Sequence, residues 1–233
     1  VWTGEVGYQF VAQWKKIDTK KVEVNHWLKV PNSTKKLGKT TEGTISFAED
    51  NETVTAFAKP EPAGTFPGYI FDKEDSTLEK TVTNDASTGT IELNLYYKPT
   101  VLTVRKIVSG YNLELDKAFS FTIQANAPDG KDTNAATLSS DQVYIKKGDG
   151  TEENLAFTNN QATFTLKKGE YVDISCLPTG WTYTVTETAP GTNFEVSYSI
   201  NGGSKTVGEA ASFTMAGTED IQFTNTSTVA PPG

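Results

Sequence analysis

Cysteine and histidine are almost absent from the 233-residue chain, which has one of each, Cys176 and His26. A disulfide within the chain needs two cysteines, and a structural zinc site needs several Cys or His ligands. A catalytic centre built from clustered cysteine and histidine residues is disfavoured for the same reason, because the chain has too few of them. We therefore expect no metal, no cofactor and no ordinary enzyme activity.

Long apolar runs and an excess of positive charge are also missing. Hydrophobic residues make up 36% of the chain, and no apolar run approaches the roughly 18 residues of a membrane-spanning helix. The net charge of −8 and the pI near 4.8 argue against a nucleic-acid partner. The acidity is concentrated after residue 98, where 9 basic and 15 acidic residues give −6, against −2 before it.

What the chain has in abundance is strand-forming sequence. It contains 35 threonines, and short segments of alternating polarity are separated by Gly, Pro, Asn and Asp clusters. We therefore predict an all-β protein. In the second half, strand spacing and turn signals indicate an immunoglobulin-like sandwich, with seven strands at residues 102–106, 119–123, 162–166, 172–174, 183–185, 194–198 and 221–223.

The run Lys98-Pro99-Thr100 is the predicted joint between two domains. Before it, alternation at residues 6–14, 22–24 and 91–97 predicts strands of a smaller β-domain. We expect domains at 1–98 and 99–226, followed by a linker or tail at 227–233, where the chain is small-residue and Pro-rich.

Three polar residues fall where the alternation of their strands predicts core. Lys106, Glu187 and Asn225 each continue the inward-facing parity of their strand. One interpretation is a buried reactive set. The other is a solvated ion pair at half-exposed strand ends, which is the commoner arrangement of a lysine and a glutamate.

Several runs resemble the isopeptide-linkage domains of Gram-positive pilins and adhesins. The run YTVTETAPG at 183–191 resembles the E-box of that family. The other runs follow the family order over about residues 99–226, namely LTVRKIVSG at 102–110, DKAFSF at 116–121, LKKGE at 166–170, LPTG at 177–180 and FTN at 223–225.

This resemblance implies an intramolecular amide between Lys106 and Asn225, promoted by Glu187. Burial would favour this reaction, because it disfavours charged forms and so favours a neutral, nucleophilic amine on Lys106 and a neutral carboxylic acid on Glu187. Lys117 is a competing nucleophile, which we rank behind Lys106 because it lies at the entrance of its strand. The reaction would be self-directed and would occur once, without turnover.

The first half resembles the β-grasp-like repeats of mucin-binding surface proteins. The resemblance rests on VEVNHWL at 22–28, GYIFD at 68–72 and LNLYYK at 93–98, while residues 1–16 resemble the end of a preceding module. The family implies glycan binding. Trp2, Trp14 and Trp27 are the candidates for stacking on sugars if exposed, although tryptophans at alternating strand positions more often belong to a core.

Four other features receive simpler interpretations. We expect Cys176 to be a small buried hydrophobe and His26 to lie at the surface or half in the core. Residues 49–52 and 72–75 are oxygen-rich and allow a calcium site, but neither stretch has EF-hand spacing, so solvated acidic loops are the preferred interpretation.

Together these features predict a structural segment of a pilin or adhesin stalk on the cell wall of a Gram-positive bacterium. Its expected partners are neighbouring domains or pilin subunits of the same surface protein. The alternative is an adhesin module that binds a glycan or a host protein through residues 1–98.

Overall fold

The computed structural model describes residues 17–85, 89–111, 116–128, 138, 142–188 and 190–229. Within these ranges the chain forms seventeen strands and no helix, which confirms the all-β prediction. No helix in this part of the chain is long and apolar enough to cross a membrane. The strand predicted at 6–14, the end of a preceding module predicted at 1–16, and the tryptophans at 2 and 14 lie outside the described residues.

The N-terminal unit contains six described strands. They are β1 (Asp18–Leu28), β2 (Lys36–Phe47), β3 (Thr53–Phe57), β4 (Tyr69–Asp72), β5 (Glu79–Thr83) and β6 (Ile91–Pro99). Four of them form a mixed sheet in the order β2-β1-β6-β4, in which β1 and β6 are parallel. This is the sheet of a β-grasp-like unit, and β3 and β5, which are separated in the chain by β4, pair as a two-stranded antiparallel ribbon above it.

The core of the N-terminal unit follows from period-two alternation. Every second residue of β6 is buried, beginning with Ile91 and ending with Tyr97, because successive side chains on a strand point to opposite faces. Val22 and Val24 of β1 join this cluster, and Ala56 of β3 packs the β3–β5 ribbon against the sheet. The ribbon therefore covers the apolar face of the sheet.

The C-terminal unit contains eleven described strands. They are β7 (Val101–Ser109), β8 (Phe119–Asn126), β9 (Tyr144–Lys147), β10 (Glu152–Asn154), β11 (Gln161–Leu166), β12 (Tyr171–Ser175), β13 (Thr182–Thr188), β14 (Phe194–Ile200), β15 (Thr206–Val207), β16 (Ala210–Thr214) and β17 (Thr218–Ser227). They form one sheet in the order β10-β9-β12-β7-β17-β14-β15 and a second in the order β11-β8-β13-β16.

These two sheets pack face to face around a single apolar cluster, as an immunoglobulin-like sandwich does. All seven strands predicted for this half are present, as β7, β8, β11, β12, β13, β14 and β17. Four additional strands, β9, β10, β15 and β16, were not predicted. They are two to five residues long and lie at or next to sheet edges, where exposure removes most of the alternating signal.

The two units meet at Thr100, which separates β6 from β7 and is completely buried. Its backbone N–H donates to the carbonyl of Gly68, and its hydroxyl donates to the carbonyl of Leu177. Its own carbonyl accepts from the N–H of Cys176. The linking residue is therefore hydrogen-bonded to both units.

Candidate functional site

Strand β7 carries Lys106 into the core of the sandwich. The strand lies between β12 and β17 in the middle of its sheet. Leu102, Val104 and Val108 face the same core, while Arg105 on the opposite parity is exposed. Lys106 is 1% exposed, so the interior position predicted from parity is confirmed.

Strand β17 runs parallel to β7 and carries Asn225 to the same place. In the register of the two strands, Lys106 lies opposite Phe223 and Asn225 lies opposite Val108. Asn225 therefore lies two residues beyond Phe223, at the next inward-facing position of β17. Its side chain is fully buried.

Glu187 reaches these two side chains from the opposite sheet. It lies near the end of β13, where Tyr183 and Val185 share its inward parity and are likewise fully buried. The backbone N–H of Glu187 donates to the carbonyl of Glu209, which holds the end of the strand in place. The sandwich thus brings together the three polar residues that sequence parity selected.

The three side chains are in direct contact. The Lys106 ammonium donates to both carboxylate oxygens of Glu187, at 2.7 Å each. The Asn225 amide nitrogen donates to one of those oxygens at 2.6 Å. The side chains of Lys106 and Glu187 have no solvent exposure, so this is a buried charged network and not the solvated pair that a strand end usually shows.

One polar atom in this network has no partner. The side-chain oxygen of Asn225 is buried without a hydrogen bond, which is costly in an apolar interior. Carboxamide oxygen and nitrogen are assigned from such networks and not from their positions alone. In the reversed orientation, the Asn225 oxygen would face Glu187 and would accept a hydrogen bond from a protonated carboxyl group.

Two aromatic rings form the apolar wall around the lysine. The Nζ atom of Lys106 lies 4.3 Å from the ring centroid of Phe119 and 5.7 Å from that of Phe121. Burial lowers the pKa of Lys106 to about 8, against the opposing effect of the Glu187 hydrogen bonds and charge. The sequence placed these phenylalanines in the core but offered no signal that they line the lysine.

Lys117, the competing nucleophile, lies at the entrance to β8. Its ammonium is 5.4 Å from the ring centroid of Phe119 and 5.1 Å from that of Phe194. Its positive charge contributes in a minor way to the lowered pKa of Lys106. Lys117 is half-buried, whereas Lys106 is enclosed.

Two predictions about single residues have opposite outcomes. Cys176 is a free, buried thiol, as expected, and burial raises its pKa. The surface or half-core position expected for His26 is wrong, because this side chain is only 1% exposed. His26 continues the inward parity of Val22 and Val24 and lies next to Phe66 and Tyr97, so alternation along β1 was the signal that could have placed it in the core.

Trp27 lies on the opposite face of β1, outside the apolar cluster. It is half-buried, and its indole N–H donates to the side-chain oxygen of Asn94 at 2.8 Å. The Lys35 ammonium lies 4.1 Å from the indole ring centroid. One face of the ring is therefore already covered by a side chain of the protein.

The two oxygen-rich stretches are held by the protein's own donors. The Glu52 carboxylate accepts from the backbone N–H groups of Ala48 and Glu49. Asp72 and Asp75 both accept from the Lys29 ammonium. In the described part of the chain, no three Asp, Glu, His or Cys residues are grouped as metal ligands.

The sequence of the C-terminal unit matches known proteins. A family model described as "Domain of unknown function (DUF7601)" matches residues 100–227. Among curated proteins, the pilus tip adhesin Cpa of Streptococcus pyogenes is 32% identical over 131 residues. That alignment covers 56% of this chain and 17% of the adhesin, so the chain spans a small part of its relative's length.

Solved structures give matches to pilus proteins. A major pilin protein (T3.2) of Streptococcus pyogenes has a TM-score of 0.50 at 16% identity, over 91% of this chain and 99% of the pilin. The pilus-presented adhesin Cpa has a TM-score of 0.43 at 24% identity, over 64% of this chain and 34% of the adhesin. At such identities the pilin match reports the fold alone.

Proposed function

The chain belongs to the family described as a domain of unknown function (DUF7601), and from that premise we propose that it forms a structural segment of a pilin or adhesin stalk. The observation that carries the proposal is the buried contact of Lys106 and Asn225 with Glu187. A network of this kind is expensive to bury. A reaction between Lys106 and Asn225 would remove the buried charges and so account for the presence of the network.

We assign to this site an autocatalytic isopeptide bond between Lys106 and Asn225. The lysine ammonium first passes a proton to the Glu187 carboxylate, which lies 2.7 Å away, and the pair becomes neutral. Neutralisation is favoured because an apolar interior penalises both charges. The lowered pKa of Lys106, about 8, reflects the same penalty.

The neutral amine then attacks the side-chain carbonyl carbon of Asn225. Protonated Glu187 donates to the carbonyl oxygen and stabilises the tetrahedral centre. Glu187 next carries a proton from the attacking nitrogen to the leaving nitrogen, so that the carbon–nitrogen bond of the carboxamide breaks. One ammonia leaves for each new amide, and Glu187 ends as a neutral acid.

The product removes the cost that the unreacted side chains carry. An amide replaces the buried ammonium, and a neutral carboxyl group can donate to the amide oxygen. Folding holds the reacting groups together, so the effective concentration of the amine is high without an external enzyme. The bond joins the first and last strands of the unit, β7 and β17, which are neighbours in the same sheet.

That location suits a protein that is stretched along its length. Force entering at the start of β7 and leaving at the end of β17 would pass through the covalent bond instead of the strand hydrogen bonds. The proposal therefore places the chain in a cell-wall-attached surface protein of a Gram-positive bacterium. Residues 1–98 and 99–226 are its two domains, and its partners are adjacent domains or pilin subunits.

The alternative function is an adhesin module whose N-terminal unit binds a glycan or a host protein. Among the described residues, Trp27 is the tryptophan candidate of that unit, and Lys35 covers one face of its ring. Its indole N–H is used by Asn94. No contact of the described residues favours this alternative over the structural role.

Intact mass under denaturing conditions tests the crosslink. The parent chain is expected to be lighter than its calculated mass by one ammonia, whereas Lys106→Ala and Glu187→Ala variants are expected at full mass. Lys117→Ala is the matched control, because this nearby lysine should leave the deficit intact. Fragmentation of a digest should then show residues 106 and 225 joined in one branched peptide.

A parent chain at full calculated mass would reject the isopeptide bond. A deficit that persists in Lys106→Ala but disappears in Lys117→Ala would reassign the nucleophile. Because the bond can form only in the folded chain, each variant is also checked for a folded β-sheet spectrum, so that a full mass reports the lost residue and not a failure to fold.

A further inference from the structure

The N-terminal unit repeats the strand arrangement that surrounds Lys106. Its first and last strands, β1 and β6, are parallel neighbours, as β7 and β17 are in the C-terminal unit. Both pairs connect the beginning of a unit to its end. A side chain that bridges β1 and β6 therefore has the same structural consequence as one that bridges β7 and β17.

The strand pairs β1–β6 and β7–β17 also place two polar side chains in the same relative positions. His26 lies opposite Leu95 on β6, and Tyr97 lies two residues further along that strand. Lys106 and Asn225 have this same offset of two residues on β7 and β17. His26 therefore corresponds to Lys106, and Tyr97 corresponds to Asn225.

His26 and Tyr97 contact each other directly, whereas Lys106 and Asn225 are connected through Glu187. The His26 Nδ1 atom lies 2.9 Å from the Tyr97 hydroxyl. That hydroxyl accepts from the backbone N–H of Glu61 at 2.9 Å. His26 and Tyr97 are 1% and 3% exposed, so this polar contact is sealed inside the unit.

We infer that His26 and Tyr97 form a reversible, proton-sensitive latch that holds β1 against β6 at the position where the C-terminal unit places Lys106 and Asn225. An imidazole and a phenol contain neither the amine nor the carboxamide that amide formation by loss of ammonia requires. The latch is therefore a hydrogen bond that can open and close. This inference does not depend on whether Lys106 and Asn225 are joined.

With a neutral imidazole every polar group of the latch has a partner. The Tyr97 oxygen accepts from the Glu61 N–H, so its own hydrogen can be given to an unprotonated Nδ1 of His26. When both ring nitrogens carry hydrogen, Nδ1 is a donor and the tyrosine must turn its hydrogen away from it. Protonation thus reverses the direction of this hydrogen bond, takes from the buried tyrosine hydrogen the acceptor that Nδ1 provided, and adds a charge to the interior.

The charged groups around the ring come from two other elements. The Glu61 carboxylate, in the segment between β3 and β4, lies 3.9 Å from the His26 Nε2 atom. Lys39 of β2 lies opposite His26 in the sheet and pairs with that carboxylate at 2.7 Å. The rings of Phe66 and Tyr97 pack against the imidazole. The acidic neighbour is therefore already paired with a lysine.

Burial lowers the pKa of His26 below its ordinary value, with Lys39 acting in the same direction and Glu61 against it. A histidine with a lowered pKa binds fewer protons in the folded state than in the unfolded state. Its stabilising contribution is complete above the unfolded pKa of about 6.5. It is lost as the pH falls from there towards the folded pKa.

His26 is the only histidine of the chain, so it is the one side chain whose ordinary pKa lies in the range of about pH 5 to 8. Amide hydrogen exchange of the whole chain at about pH 7.5 and about pH 5, corrected for intrinsic rates, tests the inference. Protection in β1 and β6 is expected to fall by roughly tenfold for each unit of pKa shift. Protection in β7 and β17 should remain unchanged.

His26→Gln is the matched variant, because glutamine retains hydrogen-bonding groups but does not titrate. It is expected to abolish the loss of protection in β1 and β6 at acid pH. An equal loss in His26→Gln and in the parent chain, or no loss in the parent, would overturn the latch.

Tyr97→Phe tests the contact independently if the glutamine variant folds poorly. Losing the hydroxyl removes the donor that favours the neutral ring, so the difference in protection between the two pH values should shrink. Protection in β1 and β6 should also fall at neutral pH, because the N–H of Glu61 loses its acceptor. An unaltered acid response in Tyr97→Phe would remove the tyrosine from the latch.

Discussion

Gly68 and Cys176 meet backbone to backbone at the junction of the two units. A Cβ atom added to Gly68 would lie 2.2 Å from the carbonyl oxygen of Cys176. Both residues have positive φ angles, 79° for Gly68 and 67° for Cys176. No side chain fits at position 68, because its Cβ atom would overlap the Cys176 carbonyl group. The backbone before β4 therefore packs directly against the backbone after β12.

Gly68→Ala is expected to lower the free energy of unfolding by more than about 1 kcal/mol, because alanine is strained at positive φ and its Cβ meets backbone that cannot move aside cheaply. Chemical denaturation measures the loss. Gly64→Ala is the matched control, since Gly64 has φ of 86° but an added Cβ would have nothing within 4 Å. Equal losses in the two variants would contradict the close-contact argument.

Cys176 provides a probe of opening at the same junction. Its side chain is 3% exposed and burial raises its pKa, so the reactive thiolate is both scarce and covered. Alkylation with iodoacetamide is expected to be at least roughly a hundredfold slower in the native chain than in denaturant. Gly68→Ala should accelerate native labelling more than Gly64→Ala. Rapid labelling of the parent would show that the junction opens readily.

Glu187→Gln tests what the proposed crosslink contributes to stability. The substitution preserves shape but removes the proton carrier, so Lys106 and Asn225 should remain unjoined. The free energy of unfolding is expected to fall by about 4 to 5 kcal/mol, by analogy with a disulfide that closes a loop of similar length. Denaturant unfolding, with the mass measured on the same sample, checks the prediction.

Glu219→Gln is the control for burial alone. Glu219 is also buried and accepts from Asn201 at 2.6 Å, but it lies apart from the lysine. A loss of about 1 to 3 kcal/mol is expected from its altered hydrogen bonding, with the mass deficit of the parent retained. A Glu187→Gln variant that keeps both the deficit and the parent stability would contradict the role given to this carboxylate.

Asp72 is expected to govern part of the acid response of the N-terminal unit. The Lys29 ammonium donates to Asp72 at 2.6 Å and lowers the pKa of that carboxyl group. A depressed folded pKa means that the stabilisation is present above the unfolded value near 4 and is lost as the pH falls through the folded value.

Asp72→Asn should therefore flatten the decline in unfolding free energy between about pH 5 and pH 2. Asp75→Asn is the matched control, because Asp75 contacts the same lysine but its side chain is 58% exposed, where such pairs contribute little. The window lies below that of His26, so denaturation at several pH values separates the two. Identical dependence of unfolding free energy on pH in the two variants would contradict the larger contribution given to Asp72.

The candidate site was predicted to the extent that it depends on parity. Lys106, Glu187 and Asn225 each lie at the end of an alternating apolar run, and burial of these residues followed from direction alone. The aromatic partners of the lysine, Phe119 and Phe121, did not follow, because parity gives the face of a strand but not which residues of the opposite sheet it meets. The depth of His26 was missed although the residue continues the inward parity of Val22 and Val24, and its neighbour Glu61 could not be predicted because it lies in an irregular segment.

The short edge strands show the same limit in the fold. Strand β16 turns only Ala211 and the half-buried Phe213 towards the core, and the two residues of β15 are both exposed. Their pairing depends on hydrogen bonds to β13 and β14, which leave no hydrophobic pattern in the edge strand itself. Period-two analysis therefore identified the central strands and the edge strand β11, and it missed the short edge strands β10, β15 and β16.

The sequence by itself determined the all-β class, the central strands and the side of each strand that faces the core, because side-chain direction along a strand depends on local alternation. Only the tertiary structure decided that β1 lies parallel to β6 and β7 to β17. Strand pairing and register arise from contacts between residues far apart in the chain. That is why the correspondence between His26 and Lys106 is visible in the folded protein alone.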